Sequence, residues 1–344
     1  MSNPAPALQA ASKAKRRSSL AWTAFALLFA LPTAGMSLFR AIPAQWPLPV
    51  VQLLSFTPWL VIPAAAALIL ALVGRPPWVI ITTTALLALQ LFWLFPFDAG
   101  KAVELPAGTP TVSVKVMSLN TEYGQADAAS IVKLVRENGV QLLALQEHTQ
   151  GLQDRLRAEG LEELLPHRVS EPRDDAGGGA VYSAFPLEPD GLLPDTPFHM
   201  AVTRVLVTDP KSGGRSALNL TNVHALPPVD ERIEQWRSDL AKIGRQAASP
   251  GNHLLMGDFN SSYDHSEFRA MLDAGRDGTR LVDVGTATGG RFYPTWPMEG
   301  RALPGTVLDH IVTTARIGSS GYMVHKVPGS DHAAVLATLG MPAG

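Results

Sequence analysis

The chain has 344 residues, 46% of them hydrophobic, with 28 basic and 30 acidic side chains and no cysteine. Six of the bases and one acid, Asp98, precede residue 101, which leaves 22 bases and 29 acids in residues 101–344, a formal charge of −7. So acidic a region argues against a protein that grips duplex nucleic acid mainly through its phosphates. The lack of cysteine is compatible with an exported domain that has no disulfide.

Three apolar stretches without charged residues come first, at residues 20–39, 50–73 and 78–97. Each reaches the roughly 20 residues that a helix needs to cross a bilayer core. We therefore predict three transmembrane helices, preceded by a basic cytoplasmic segment at residues 1–19.

The bases at residues 13–17 set the expected topology, because positively charged segments stay in the cytoplasm. Three spans then place residue 101 onward outside the cytoplasm in a multi-pass membrane protein. The alternative for the first stretch is a cleaved signal peptide, which would leave the same sidedness. The lipid bilayer is thus a predicted partner, and no protein partner can be inferred.

Residues 98–110 contain prolines and glycine without periodicity, which predicts a short tether that holds the active site close to the lipid surface. From residue 111 to 344, alternating strand and helix patterns predict one two-layer α/β (α+β) domain. The predicted helices are 128–138, 229–246 and 265–274, and the predicted strands are 112–117, 141–145, 180–182, 201–207, 217–222, 253–256, 307–313 and 334–339.

Polar residues directly follow several of these strands, where loops on a rigid scaffold commonly carry a site. Carboxylates, amides and imidazoles spaced so widely can converge only in a folded pocket, and together they suit metal-assisted attack of water on phosphorus. In chain order these residues are Asn120, Glu147, His224, Asp258, Asn260, Asp309, Asp331 and His332.

This order of Asn, Glu, His, Asp-x-Asn, Asp and Asp-His resembles the endonuclease/exonuclease/phosphatase superfamily, also called the DNase I-like fold. The resemblance covers residues 110–340 and implies a two-sheet β-sandwich flanked by helices, with site residues at strand ends. It also implies hydrolysis of phosphoesters with Mg²⁺ or Mn²⁺ as cofactor. The arrangement of three spans before such a domain resembles the VanJ-type glycopeptide-resistance proteins.

The resemblance implies that Glu147 is the principal metal ligand, with Asn120 and Asp331 completing the metal site. Hard oxygen ligands of this kind select Mg²⁺ or Mn²⁺ over softer metals. Asn120 is also expected to bind the substrate phosphate, together with Asn260.

The remaining residues are expected to be catalytic. Asp258 would orient or deprotonate the attacking water, and its side chain is expected to point the same way as Asn260 because the two alternate at a strand end. Asp309 and His332 form a natural carboxylate–imidazole pair. His224 matches a second histidine of the DNase I, sphingomyelinase and inositol-phosphatase branches, although a histidine after a strand is often only a satisfied polar group.

Other residues near these motifs are expected to be structural or to border the site. His148 and His310 adjoin motif residues and are interpreted as structural. The glycines at 177–179 are predicted to form a flexible loop beside the site, and Trp296 either lines the pocket mouth or belongs to the core.

Three functions remain open at this point. The first is an extracytoplasmic, membrane-anchored hydrolase of a lipid-linked phosphate or another envelope phosphoester. The second is an exported nuclease acting on DNA or RNA, for which the acidic domain is less suited. The third is a catalytically inactive binding module, which the presence of every central carboxylate argues against.

Overall fold

The computed structural model describes residues 5–97, 99–101, 108–209, 213–300 and 303–343. The chain divides into two compact units, Met1–Phe97 and Asp98–Gly344. Most of the predicted tether, at residues 98 and 102–107, lies outside the described residues.

The first unit is helical, and it contains three segments long and apolar enough to cross a membrane, as predicted. These segments are Ser19–Ala41, Thr57–Gly74 and Pro77–Leu94. The helices are α1 (Ala5–Ala41), α2 (Leu48–Leu54), a 3₁₀ turn (Thr57–Leu60), α3 (Val61–Gly74) and α4 (Pro77–Leu94).

The second apolar stretch is not the single helix predicted for residues 50–73, because it is interrupted between α2 and the 3₁₀ turn. Pro58 has no N–H to donate to the carbonyl of Leu54, so a continuous helix would leave that oxygen unpaired. The Thr57 hydroxyl donates to the Leu54 carbonyl instead, at 2.7 Å. The segment that can span a bilayer therefore begins at Thr57.

The second unit contains twelve strands and six α-helices within its described residues. The helices are α5 (Ala128–Asn138), α6 (Gln150–Ala158), α7 (Leu161–Leu164), α8 (Ile233–Ala247), α9 (Ser266–Asp273) and α10 (Val284–Ala287). The strands are β1 (Thr111–Asn120), β2 (Leu142–Gln146), β3 (His167–Glu171), β4 (Gly179–Ser183), β5 (Leu187–Leu192), β6 (Ala201–Thr208), β7 (Arg215–His224), β8 (Asn252–Asp258), β9 (Val282–Asp283), β10 (Asp309–Thr313), β11 (Gly318–Lys326) and β12 (Ala333–Pro342).

The strands form two six-stranded sheets, which confirms the predicted two-sheet fold flanked by helices. The first sheet has the order β11-β12-β1-β2-β4-β3 and the second has the order β5-β6-β7-β8-β10-β9. The four strands that the sequence pattern did not predict, β3, β5, β9 and β11, are the four sheet edges. Three of them contain no buried residue and β9 has two residues, so none carries a long apolar run.

Alternation along the central strands builds the core. In β1 the side chains of Val112, Val114 and Val116 pack between the two sheets, while Met117 and Leu119 face the helical layer. Both faces of the strand are therefore apolar near its end, as expected of a strand covered on both sides.

Each sheet has one central parallel pair, β1 with β2 and β7 with β8. A parallel pair needs a crossover, and α5 and α8 provide the two. The carboxyl ends of both pairs lie at the same end of the sandwich, where the site residues are found.

The chain enters the second unit at the opposite end of these strands. The carbonyl of Pro110, just before β1, accepts a hydrogen bond from Ala343 just after β12. Ten residues of strand separate that point from Asn120, a distance of about 30 Å. The chain therefore enters the second unit about 30 Å from the cleft, measured along β1.

Candidate active site

A polar cleft of ≈ 570 Å³ opens at the carboxyl ends of the two parallel pairs. Its walls bring together seven of the eight predicted site residues, Asn120, Glu147, His224, Asp258, Asn260, Asp331 and His332. The eighth, Asp309, lies behind the cleft and contacts it through His332.

On the first sheet, Asn120 ends β1 and holds two carboxylates at once. Its amide nitrogen donates to Glu147 Oε1 and to Asp258 Oδ2, each at 3.1 Å. Its amide oxygen accepts from the backbone N–H of Glu122 at 3.0 Å. Asn120 thus positions one carboxylate from each sheet. It faces both of them with its amide nitrogen, not with its amide oxygen.

Glu147 follows β2 in a backbone conformation that few side chains adopt, with a φ of 53°. Its second oxygen accepts from the Tyr123 N–H at 2.8 Å. Burial and the nearby Asp258 carboxylate raise the pKa of Glu147, against the lowering effect of the bonds from Asn120 and Tyr123. Left-handed non-glycine residues of this kind cluster at functional sites, where the surroundings hold the strain.

The cleft holds an unusual share of such residues. Of the eight positive-φ residues other than glycine in the described parts of the chain, four line the cleft. They are Glu122, Tyr123, Glu147 and Asn260.

On the second sheet, Asp258 ends β8 and is almost completely buried. Asn260 donates to it from both its backbone N–H, at 2.7 Å, and its side-chain amide, at 3.3 Å. Their side chains meet because Asn260 turns back with a φ of 47°, not because the two residues alternate along a strand as predicted. Gly257 is required there: a Cβ at this residue would lie 1.9 Å from the Val223 carbonyl oxygen.

Asp309 and His332 form the predicted pair, with His332 Nδ1 2.8 Å from Asp309 Oδ2. The other ring nitrogen, Nε2, lies 3.6 Å from Asp258 Oδ2, beyond a good hydrogen bond. Burial alone would lower the pKa of His332, but the carboxylates of Asp309 and Asp258 outweigh it and raise the pKa to about 10. The ring is therefore a cation at neutral pH, with one N–H left for a substrate oxygen.

His224 ends β7 in different surroundings. It stacks on Phe198 with ring centroids 4.3 Å apart, and its Nε2 lies 3.8 Å from Glu147 and 3.9 Å from Asp258. Burial lowers the pKa of His224 to about 4, although the Asp258 carboxylate acts in the opposite direction. This ring is neutral at pH 7.

Asp331 lies at the cleft rim and is fixed from two sides. Trp296 donates its indole N–H to Asp331 Oδ2 at 2.9 Å, and the Asp331 backbone N–H donates to Glu122 Oε2 at 2.7 Å. Trp296 thus orients the site residue Asp331 by a direct hydrogen bond. Neither of the two expected positions, the pocket mouth or the core, included this contact. Ser330 connects this segment to β1 by donating to the Asn120 carbonyl at 2.7 Å.

A buried polar network beneath the cleft joins the two sheets. Gln146 donates to Asn222 at 2.6 Å and to Ser118 at 3.1 Å, and Asn222 donates to the Leu145 carbonyl at 2.9 Å. Each polar group satisfies another, so the strand ends that carry Glu147 and His224 are held in a fixed register.

The two histidines interpreted as structural are buried away from the cleft. His310 contacts Asp283 at 3.2 Å and the Ser261 carbonyl at 2.8 Å, and His148 lies against Tyr182. The glycine segment at 177–179 is not the flexible loop that was predicted. It is buried, and a Cβ on Gly178 would lie 2.1 Å from the His148 carbonyl oxygen.

Several cleft residues were missed by sequence reasoning. Glu122 and Tyr123 follow Asn120 directly, and their place in the first motif was a usable signal. Arg173, Phe198 and Arg232 come from loops that bring them to the cleft only in the folded chain, so no local pattern marks them.

The residues present fit a hard divalent cation. Four carboxylates from separate segments face the cleft, Glu122, Glu147, Asp258 and Asp331, and among the described residues their ion pairs are with histidines only. Uncompensated oxygen donors of this type suit Mg²⁺ or Mn²⁺. Asp258, Asp309 and His332 also lie close enough to hold an ion. However, His332 Nδ1 and Asp309 already bond each other, and a cationic ring does not coordinate metal.

A family model described as the endonuclease/exonuclease/phosphatase family matches residues 117–332. The chain belongs to this family. Every predicted site residue, from Asn120 to His332, lies inside the matched region.

Solved structures of the family show the same fold. TDP2 from D. rerio, in a complex with single strand DNA product, is 15% identical with a TM-score of 0.51, covering 66% of this chain and 98% of that one. An endonuclease/exonuclease/phosphatase from Bacteroides vulgatus is 18% identical with a TM-score of 0.50, covering 66% and 98%. Truncated TDP2 from Caenorhabditis elegans is 16% identical with a TM-score of 0.50, covering 66% and 97%. A comparison with curated protein sequences found no match.

The chain therefore has the fold of a phosphoester hydrolase. Enzymes of this family generally depend on divalent metals. The three apolar segments of the first unit are long enough to cross a membrane, which indicates that the protein is associated with one.

Proposed function

We propose that the protein is a membrane-anchored hydrolase that uses Mg²⁺ or Mn²⁺ to cleave a phosphoester of the cell envelope, outside the cytoplasm. The observation that carries this proposal is the convergence of Glu147, Asp258 and the Asp309–His332 pair on one cleft.

The residues of the cleft divide the work. Glu147 and Asp331 would hold the cation, which would neutralise charge at the phosphoryl group. Asp258, whose pKa burial raises, accepts a proton from the attacking water. His332 donates its Nε2 hydrogen to a phosphoryl oxygen, and Asp309 holds the ring in place. Asn260 orients Asp258 through its backbone N–H and its side-chain amide.

The charge of the cleft restricts the classes of substrate that it can bind. Its described lining contains five carboxylates against two arginines, and both arginines are paired with neighbouring aspartates. A long polyanion is disfavoured by this balance, whereas a single phosphoester held by a cation is not.

A nuclease is the second candidate, and one observation favours it. Tyr123 at the cleft mouth is 56% exposed and Phe198 lines the same cleft, so a base has surfaces for stacking.

Hydrolysis by the full chain in detergent tests the proposal. The protein is incubated with Mg²⁺, Mn²⁺ or EDTA and offered a chromogenic phosphodiester, lipid-linked pyrophosphate and plasmid DNA. We expect metal-dependent turnover of a lipid-linked or small phosphoester, lost in Asp258→Asn and kept in Asp273→Asn, which changes an exposed aspartate. Nicking of plasmid DNA alone would replace the envelope substrate with a nucleic acid.

The sidedness has a separate test that uses the absence of cysteine. A single cysteine, Leu192→Cys, is placed on an exposed position of β5. We expect a membrane-impermeant maleimide to label it in intact cells. Labelling only after lysis would place the catalytic unit in the cytoplasm.

A further inference from the structure

A second and larger cavity, of ≈ 840 Å³, lies at the other end of the catalytic unit. It is lined by residues at the start of β7 and β8 and by residues that follow β10 and β12. The same four strands carry His224, Asp258, Asp309 and His332 at their other ends. The ten residues of β7 alone place the two openings about 30 Å apart.

The charge of this cavity is opposite to that of the unit around it. Its lining contains three exposed arginines, Arg215, Arg276 and Arg316, and a single acid, Asp277. Arg276 contacts Asp277 at 3.3 Å, whereas Arg215 and Arg316 form no ion pair among the described residues. A net positive cavity in a region of formal charge −7 is a local concentration of charge that attracts anions.

The cavity also adjoins the point where the chain enters the unit. Ala99 is buried, and a Cβ on Gly100 would lie 3.0 Å from the carbonyl oxygen of Leu281, which lines the cavity. Only four residues separate Leu94, the end of the third apolar segment, from Ala99. The link in sequence between the third apolar segment and the cavity rim is therefore short.

We propose that the arginine cavity, defined by Arg215, Arg276 and Arg316, docks on anionic phospholipid headgroups of the membrane in which the chain is anchored. Phosphate groups suit the guanidinium donors, and each basic side chain near an anionic surface adds attraction that salt screens. Docking at this end turns the catalytic cleft away from the bilayer. The proposal does not depend on the hydrolysis proposed above.

The experiment uses the full chain in vesicles and two matched cysteine variants. Leu206 and Leu192 lie at opposite ends of the β5–β6 hairpin and are 46% and 40% exposed. Leu206 lines the cavity and Leu192 lies toward the cleft end. Each variant, Leu206→Cys or Leu192→Cys, carries one fluorophore, and quenching is measured with lipids that bear a spin label on the headgroup.

We expect the label at position 206 to be quenched at least twofold more than the label at 192 in vesicles with about one third phosphatidylglycerol. Pure phosphatidylcholine, 0.5 M salt, or the combined changes Arg215→Ala, Arg276→Ala and Arg316→Ala should each reduce that difference by half or more. The matched control, Lys133→Ala, Arg136→Ala and Arg157→Ala, removes three charges from the α5 and α6 helices and should leave it unchanged. Unaltered thermal midpoints show that both triple variants fold.

Equal quenching at the two positions, or a difference that ignores anionic lipid and the arginine changes, would overturn the proposal. Loss of the difference on adding 10 mM inorganic phosphate at constant ionic strength would also overturn it, because the cavity would then be a site for a soluble anion.

Discussion

The two walls of the catalytic cleft each hold one buried histidine, and their surroundings drive the two rings toward opposite protonation states. His332, beside the first sheet, bonds the Asp309 carboxylate, and its pKa rises to about 10. His224, on the second sheet, stacks on Phe198 instead, and its pKa falls to about 4. Both lie within 4 Å of Asp258.

The difference shows that burial alone does not decide the charge of an imidazole. Burial lowers the pKa of both rings. In His332 the Asp309 and Asp258 carboxylates outweigh burial, whereas in His224 the Asp258 carboxylate does not. Groups whose pKa values are pushed apart in one site commonly have distinct acid and base roles. Here the cationic ring suits the phosphoryl group, and the neutral ring leaves the charge of Glu147 available for a cation.

The largest loss of activity is expected from substitutions in the Asp309–His332 pair. His332→Gln removes the ring, and Asp309→Asn removes the group that holds its proton. Each should lower kcat/KM by about 10³-fold, within the range for a group that donates or accepts a proton, or about 4 kcal/mol. The rate of phosphodiester hydrolysis measures it. A loss of less than tenfold in both variants would remove His332 from the reaction.

A third buried histidine, His310, lies outside the cleft and tests whether a bonded carboxylate stabilises a buried imidazole there as well. His310 bonds Asp283, which raises the pKa of the histidine and lowers that of the aspartate despite the burial of both. Asp283→Asn should cost about 3 kcal/mol of stability, because it leaves a buried ring without its partner. The thermal midpoint of the full chain in detergent should fall by roughly 6–12 °C.

The pH dependence of that loss follows from the direction of each shift. Because the pKa of His310 is raised on folding, its contribution to stability is complete below the pKa of the unfolded chain and is lost as pH rises through the folded pKa. Because the pKa of Asp283 is lowered on folding, its contribution is complete above the pKa of the unfolded chain and is lost as pH falls through the folded pKa. The difference between wild type and Asp283→Asn should thus be largest between about pH 4 and pH 6.5. Asp273→Asn, which changes an exposed pair, should show only a small fraction of the shift.

The smallest effect is expected on the neutral side. His224→Gln keeps a polar side chain and removes an uncharged ring, so kcat/KM should fall about tenfold, or about 1.4 kcal/mol. The activity loss should be the same across pH 6–8, since His224 does not titrate there. A loss as large as that of His332→Gln would contradict the division of roles between the two walls.

The sequence predicted the positions of the site better than their environment. Asn120, Glu147, His224 and Asp258 each follow an apolar run, and strand order then brings them to one edge. Phe198, which stacks on His224, lies in a loop with no periodicity, so its contact depends on the path of the folded chain. The turn at Asn260 was likewise hidden, because a positive φ in asparagine leaves no mark in the sequence.

The fold shows the same limit. Central strands carry long apolar runs because both faces are covered, and these were predicted within a few residues. Three of the four edge strands contain no buried residue and the fourth has two residues, so a hydrophobic pattern does not mark them. In the first unit, the break after α2 depends on Pro58, whose effect in a membrane segment differs from case to case.

The central claim is that the cleft holds one cationic and one neutral imidazole around Asp258, and histidine NMR tests it most directly. The full chain, labelled with ¹⁵N-histidine and kept free of metal with EDTA, is titrated from pH 5 to pH 9, with His332→Gln and His224→Gln to assign the two signals. We predict that His332 stays protonated through pH 8 and that His224 stays neutral down to pH 5. Titration of both rings near pH 6.5 would contradict the account.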